Sequence, residues 1–105
     1  MNVSSLEVDP GELRRRAEQH AQAIDQIKAA RADNERMVSE AQTLGPLYHQ
    51  VRASVSEATS KRDSALASEQ HRHEQMRDAL LASAAEYERV EAENRARLTI
   101  SPSDR

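Results

Sequence analysis

Between Gly11 and Gly45 the chain contains neither Gly nor Pro, and the same is true from Leu47 to Thr99. Two long uninterrupted stretches therefore meet at one break, Gly45-Pro46, and this fixes most of what the chain can become. A β fold would need turn residues roughly every 8–12 positions. Nor is there material for a conventional globular core. Only 2% of the 105 residues are aromatic, Phe, Trp and Cys are absent, and Ala is the largest part of the 37% hydrophobic fraction, with some Leu and Val. Compact cores draw much of their burial from large side chains. An all-α, elongated protein with narrow apolar seams is what remains.

Asp9-Pro10-Gly11-Glu12 reads as a helix start. Asp9 can cap free N–H groups, Pro10 suits the first helical position, and Glu12 stands where a capping box places its acid. From there Leu13, Ala17, His20, Ile24, Ile27, Arg31, Asn34, Val38 and Ala41 recur at spacings of three and four, a helical seam with a polar centre. The first helix is predicted over about 10–44. Gly45 is expected to close it in the left-handed conformation, and Pro46 to open the second helix, over about 46–98. There Leu47, Val51, Val55, Ala58, Arg62, Ala65, Glu69, His73, Met76, Leu80, Ser83, Tyr87, Val90, Asn94 and Leu98 continue the spacing. The Ser-rich segment 54–68 competes for backbone hydrogen bonds and invites a kink. The organisation is thus an extension at 1–8, one hairpin domain at 9–99, and a frayed tail at 100–105.

So short a connection makes the helices antiparallel neighbours. Folding about Gly45-Pro46 pairs residues whose numbers sum to about 91, so the first helix runs out opposite about residue 81 and 82–98 project beyond it. Leu80, Leu81, Ala84, Tyr87 and Val90 then have only Val3, Leu6 and Val8 as cover within the chain. One stripe per helix leaves little margin over the entropy of ordering some 90 residues. A four-helix bundle of two hairpins is the expectation, through Leu13, Ile24, Ile27, Val38, Val51, Val55, Met76 and Leu80.

Net charge is −3 with acids and bases interspersed, which argues against a nucleic-acid surface. No apolar run approaches a membrane span, so stable membrane insertion is not expected. Residues 1–8 lack the basic start and apolar centre of a classical signal peptide, so any export is expected to bypass the general secretory route. No catalytic constellation, glycine-rich phosphate loop or nucleophile elbow is present, and neither an enzyme nor a cofactor is predicted. His20 is expected near His71, with His73 within a turn. The i, i+2 spacing of His71 and His73 does not suit zinc, so no metal site is assigned. Arg31, Asn34, Arg62 and Glu69 read as polar interruptions that fix register and pairing partner. Arg14-Arg15-Arg16 fans around its helix as a solvated face. Tyr87 and Glu91, at i, i+4, share one helical face near the end of the second helix and form a compact recognition surface.

The arrangement resembles the EspC-type substrates of mycobacterial type VII (ESX) secretion, relatives of the WxG-type helical hairpins. The resemblance rests on Leu6-Glu7-Val8-Asp9-Pro10 before Leu13, on Gly45-Pro46 at the turn, and on Arg62 and Leu66. It also includes Leu80-Leu81-Ala82-Ser83-Ala84-Ala85-Glu86-Tyr87 and Tyr87-x-x-x-Glu91, followed by Ala92-Glu93-Asn94. The Trp-x-Gly turn of the wider superfamily is replaced by Gly45-Pro46, as in EspC-like members, and the final motif carries Glu rather than Asp. The resemblance implies a non-enzymatic protein made in the cytoplasm and exported to the medium or cell surface. Tyr87 and Glu91 would be export determinants read by the type VII machinery, and a second copy or a co-secreted helical protein would be the partner. Two other functions fit the residues alone: a cytosolic coiled-coil adaptor or structural protein, for which Tyr87 is packing, and a His-based metal-binding bundle.

Overall fold

A computed structural model describes residues 8–103, with side chains to Leu98. Helix α1 runs Pro10–Gln42, a 3-10 turn follows at Pro46–Tyr48, and helix α2 runs His49–Ser103. The two helices pack on each other as a hairpin, which makes the described residues all-helical apart from Val8, Asp9 and the connection. Among the expected cover, Val3 and Leu6 lie outside the described residues.

Asp9 has extended backbone angles, and its Oδ1 accepts a hydrogen bond from the Gly11 N–H at 2.9 Å, capping α1 as its residue type allows. Glu12 does not complete a capping box. Its carboxylate meets Arg15 at 2.6 Å and Arg16 at 3.3 Å instead. At the other end, Thr43 and Leu44 donate three residues back, to Glu40 and Ala41 at 3.1 Å each, and the Thr43 hydroxyl donates to the Glu40 carbonyl at 2.6 Å. This tightened last turn satisfies carbonyls that would otherwise be orphaned. Gly45 is therefore not needed as a left-handed cap. Its φ of −70° and ψ of 176° are extended, as a residue preceding proline prefers.

α2 passes unbroken through the Ser-rich segment, without the expected interruption. Thr59, itself buried, donates its hydroxyl to the carbonyls of Val55 and Ser56 at 2.7 and 3.1 Å, so its polar group is satisfied within its own helix. The helix also continues to Ser103, through most of the predicted tail, while 104–105 lie outside the described residues.

The core is thin. Its buried apolar members are Ala17, Ile24, Ile27, Ala41 and Ala84, with Asn34 and Thr59 as buried polar neighbours. On α1 the burial follows the seam read from the sequence, with Leu13, His20, Arg31 and Val38 half-buried between the fully buried positions. On α2 the face against α1 is rotated from the predicted one. It runs through Val55, Thr59, Asp63, Leu66, Gln70, His73, Arg77, Leu80 and Ala84. Val51 and Met76 are 47% and 52% exposed and lie outside the intramolecular seam, as do Leu47, Ala58, Arg62 and Ala65.

Candidate functional site

α1 has 33 residues and α2 has 55, so α2 must outrun its partner. The overlap is longer than the sequence suggests. Ala84 is fully buried, and the Arg14 guanidinium donates to Glu88 at 2.5 Å, so α1 covers α2 as far as Glu88 rather than to about 81. The cause is side-chain direction. Each side chain leans toward the N-terminus of its own helix, so antiparallel partners meet at larger residue sums than their backbones do. The cross-pairs His20–His73, Arg31–Asp63 and Arg14–Glu88 all show this displacement.

Tyr87 sits where this cover ends, 42% exposed, and Glu91 follows one turn later on the same face, also exposed. The surrounding turn is braced by charge. Arg89 donates to Glu86 at 2.5 and 3.2 Å and to Glu93 at 2.6 Å, an arrangement the sequence reading did not anticipate, although the i−3 and i+4 acids were its signal. The Arg89 guanidinium holds the Glu86 carboxyl below its ordinary range, and hydrogen bonding from Arg14 does the same for Glu88. Glu91 takes no part in these pairs. The result is an exposed helical turn that presents one phenol ring and one carboxylate on the same face.

The seam holds two further polar layers. Arg31 reaches Asp63 with two bonds, at 2.9 and 3.2 Å, and Gln70 at 3.0 Å. The hydrogen bonds from Arg31 hold the Asp63 carboxyl low against the desolvation that would raise it. Arg31 was legible as a polar interruption, and its partners are Asp63 and Gln70, which the sequence did not single out; of the interruptions expected on α2, Arg62 is exposed and Glu69 is half-buried. In the second layer His20 pairs with His73, Nδ1 to Nδ1 at 2.8 Å, while His71 is exposed. Asn34 is 3% exposed, and neither its amide nitrogen nor its amide oxygen has a hydrogen-bond partner. Beside it an open groove of about 600 Å³ runs between the helices, bordered by Lys28, Val38 and Ser60.

Of the sequence-predicted positions, Ile24 and Ile27 are consumed within the hairpin, Leu13, Val38, Val55 and Leu80 are half-buried in it, and Val51 and Met76 remain outward. Gly45 and Pro46 form the connection. Among the described residues no group of three or more His, Cys, Asp or Glu side chains is placed to hold a metal ion, and no helix is long and apolar enough to cross a membrane. Over residues 1–99 the chain matches the family described as excreted virulence factor EspC, type VII ESX diderm. No curated protein and no solved structure matches it.

Proposed function

The chain belongs to the EspC family of type VII ESX excreted virulence factors, and from that premise we propose that it is a non-enzymatic export substrate whose determinants are Tyr87 and Glu91. The observation that carries this reading is their position. They lie one turn apart on an exposed face at the point where α1 stops covering α2, on a turn where Arg89 pairs with Glu86 and Glu93 and Arg14 pairs with Glu88. A machine that accepts folded hairpins can engage such an end without unfolding the seam.

The test is export of wild type against Tyr87→Ala and Glu91→Ala in a host with a competent ESX system, comparing cell pellet with culture filtrate. Circular dichroism accompanies each variant. Retention of folded variants, with wild type in the filtrate, is the expected result. Equal export of all three removes the pair from the signal. Failure of wild type to leave a host carrying the matching system favours the adaptor reading.

A partner chain, either a second copy or a co-exported helical protein, is part of the same proposal. The lone chain exposes 8045 Å² of surface, against about 5,900 Å² for a compact monomer of this mass. Its apolar remainder is also sided. Met76 and Leu80 share a depression with Glu12 and Gln19. A helix repeats its face after about five turns, roughly 18 residues, which carries that side along to Ala30 and Met37 on α1 and Ala58 on α2. Leu47 and Val51 continue it toward the turn, 88% and 47% exposed. Pairing through this side predicts that Val51→Glu with Met76→Glu lowers the mass measured by light scattering and leaves helicity intact. An unchanged mass would exclude that side as the interface.

A further inference from the structure

The His20–His73 contact belongs neither to the export segment nor to the outward apolar side. The rings come from opposite helices, their centroids are 5.0 Å apart, and the two Nδ1 atoms approach to 2.8 Å. Both imidazoles are half-buried in the seam, so water does not freely replace the bond. A hydrogen bond between two ring nitrogens requires one N–H and one lone pair. The pair can therefore be neutral, or carry one added proton, and remain closed.

The surroundings favour one proton and disfavour two. The Nε2 of His73 faces the Glu69 carboxylate at 3.7 Å, on the side away from His20. A singly charged His73 can thus keep its Nδ1–H on His20 and turn its Nε2–H toward Glu69. Among the described residues, the carboxylate beside His20 is already engaged. On α1, Glu12 lines the depression beside His20 but is engaged by Arg15 and Arg16, and Arg16 adds positive charge there. On α2, Arg72 also draws on Glu69, and Arg77, one turn beyond His73, is paired with Asp78. Once both imidazoles are protonated, two N–H groups and two positive charges face each other across the seam.

We infer that the His20–His73 pair is an acid-operated latch between the two helices, closed with one proton or none and forced apart by the second. The sign follows from proton counting. The opened hairpin binds two protons at these rings and the closed one binds at most one, so stability falls as pH falls wherever the second proton is taken up. That lies within the interval in which histidine charges, between about pH 8 and pH 5. Among the described residues no third metal-ligating group joins the pair, so a proton is the occupant that the geometry fits.

The experiment uses the full chain with a chelator present. Imidazole ring resonances are followed by NMR from about pH 8 to pH 4.5, and thermal unfolding is followed by circular dichroism over the same interval. Acid should break the contact between the His20 and His73 rings, seen as loss of the through-space signals between them, while the exposed His71 ring takes no part in that change. The melting temperature of wild type should fall by roughly 5–10 °C across the interval. His20→Gln and His73→Gln, which keep a neutral polar group in the layer, should lose most of that fall, and His71→Gln should retain it. If a Gln variant does not fold, the wild-type titration alone decides. A His20–His73 ring contact that persists to about pH 4.5, or a pH dependence unchanged in folded His20→Gln, overturns the latch.

Discussion

Asn34 offers the sharpest test of how this hairpin is held together. It occupies a seam position of α1, is 3% exposed, and leaves both ends of its amide without a hydrogen bond. It lies near enough to Asp63 to favour that carboxylate's charge, but behind Arg31, which supplies the dominant bonds. An unsatisfied buried polar group costs roughly 1–3 kcal/mol. Asn34→Leu removes that cost and adds apolar burial beside Val38. The groove next to it gives the added methyl groups somewhere to go, which limits the strain of overpacking. The expected net gain is about 1–2 kcal/mol, a rise in melting temperature of roughly 4–8 °C per kcal/mol for a domain of this size. The assay is thermal and urea unfolding of wild type, Asn34→Leu and Asn34→Ala at one protein concentration, with the mass of each measured in parallel. A fall of several degrees for Asn34→Leu at unchanged mass would refute the reasoning, because it would mean that the amide stabilises the fold. A rise accompanied by a change of mass would show that Asn34 spends stability on choosing its partner.

Three further outcomes follow from particular residues. Gly45→Ala should be tolerated and should stabilise by about 0.4–1 kcal/mol, since φ is −70° and an added Cβ meets nothing within 4 Å; a melting temperature lowered by the change would contradict the extended turn. Asp63, Glu86 and Glu88 all have carboxyls held below their ordinary range. Their depressed values add stability that is present above the ordinary carboxylate range near about pH 4 and is lost as pH falls below it. Asp63→Asn should flatten that acid limb of a pH–stability curve, and an unaltered limb would place the dependence elsewhere. Ile24→Ala, at a buried position in a core with few large side chains, should cost about 2–5 kcal/mol and leave the hairpin largely unfolded at 37 °C by circular dichroism; retained helicity would show that the core is less dependent on it than its burial indicates.

The fold was legible because its punctuation is sparse. Asp9-Pro10 starts α1, Gly45-Pro46 separates the helices, and nothing between them can stop a helix. On α1 the buried face was legible as well, since Leu13, Ile24, Ile27 and Val38 form one apolar stripe with no rival. α2 carries two stripes about a quarter-turn apart, which share Val55, His73 and Leu80. The more apolar one, through Leu47, Val51, Ala58 and Met76, drew the sequence reading and faces outward. The one that packs on α1 includes Asp63, Gln70, His73 and Arg77 and looks solvated when read alone. Its burial becomes affordable only because α1 brings Arg31 to Asp63 and Gln70, and His20 to His73. That is a pairwise fact, and single-helix periodicity does not contain it.

The same distinction explains what the Tyr87–Glu91 segment could and could not show. Tyr87 and Glu91 were visible as a pair because i, i+4 spacing is local. Where the pair stands relative to the end of α1 depends on how far side chains lean along antiparallel helices, and Arg14–Glu88 moves that edge outward by nearly two turns from the backbone estimate. Tyr87 is consequently at the rim of the hairpin, not far out on a bare helix. A ring at the rim is held by a packed helix on one side and open on the other, whereas a ring on an unpaired extension would share that extension's fraying. If the export machine reads a fixed arrangement of phenol and carboxylate, the rim is the position that supplies it, and loosening Arg14 should impair recognition before it impairs folding.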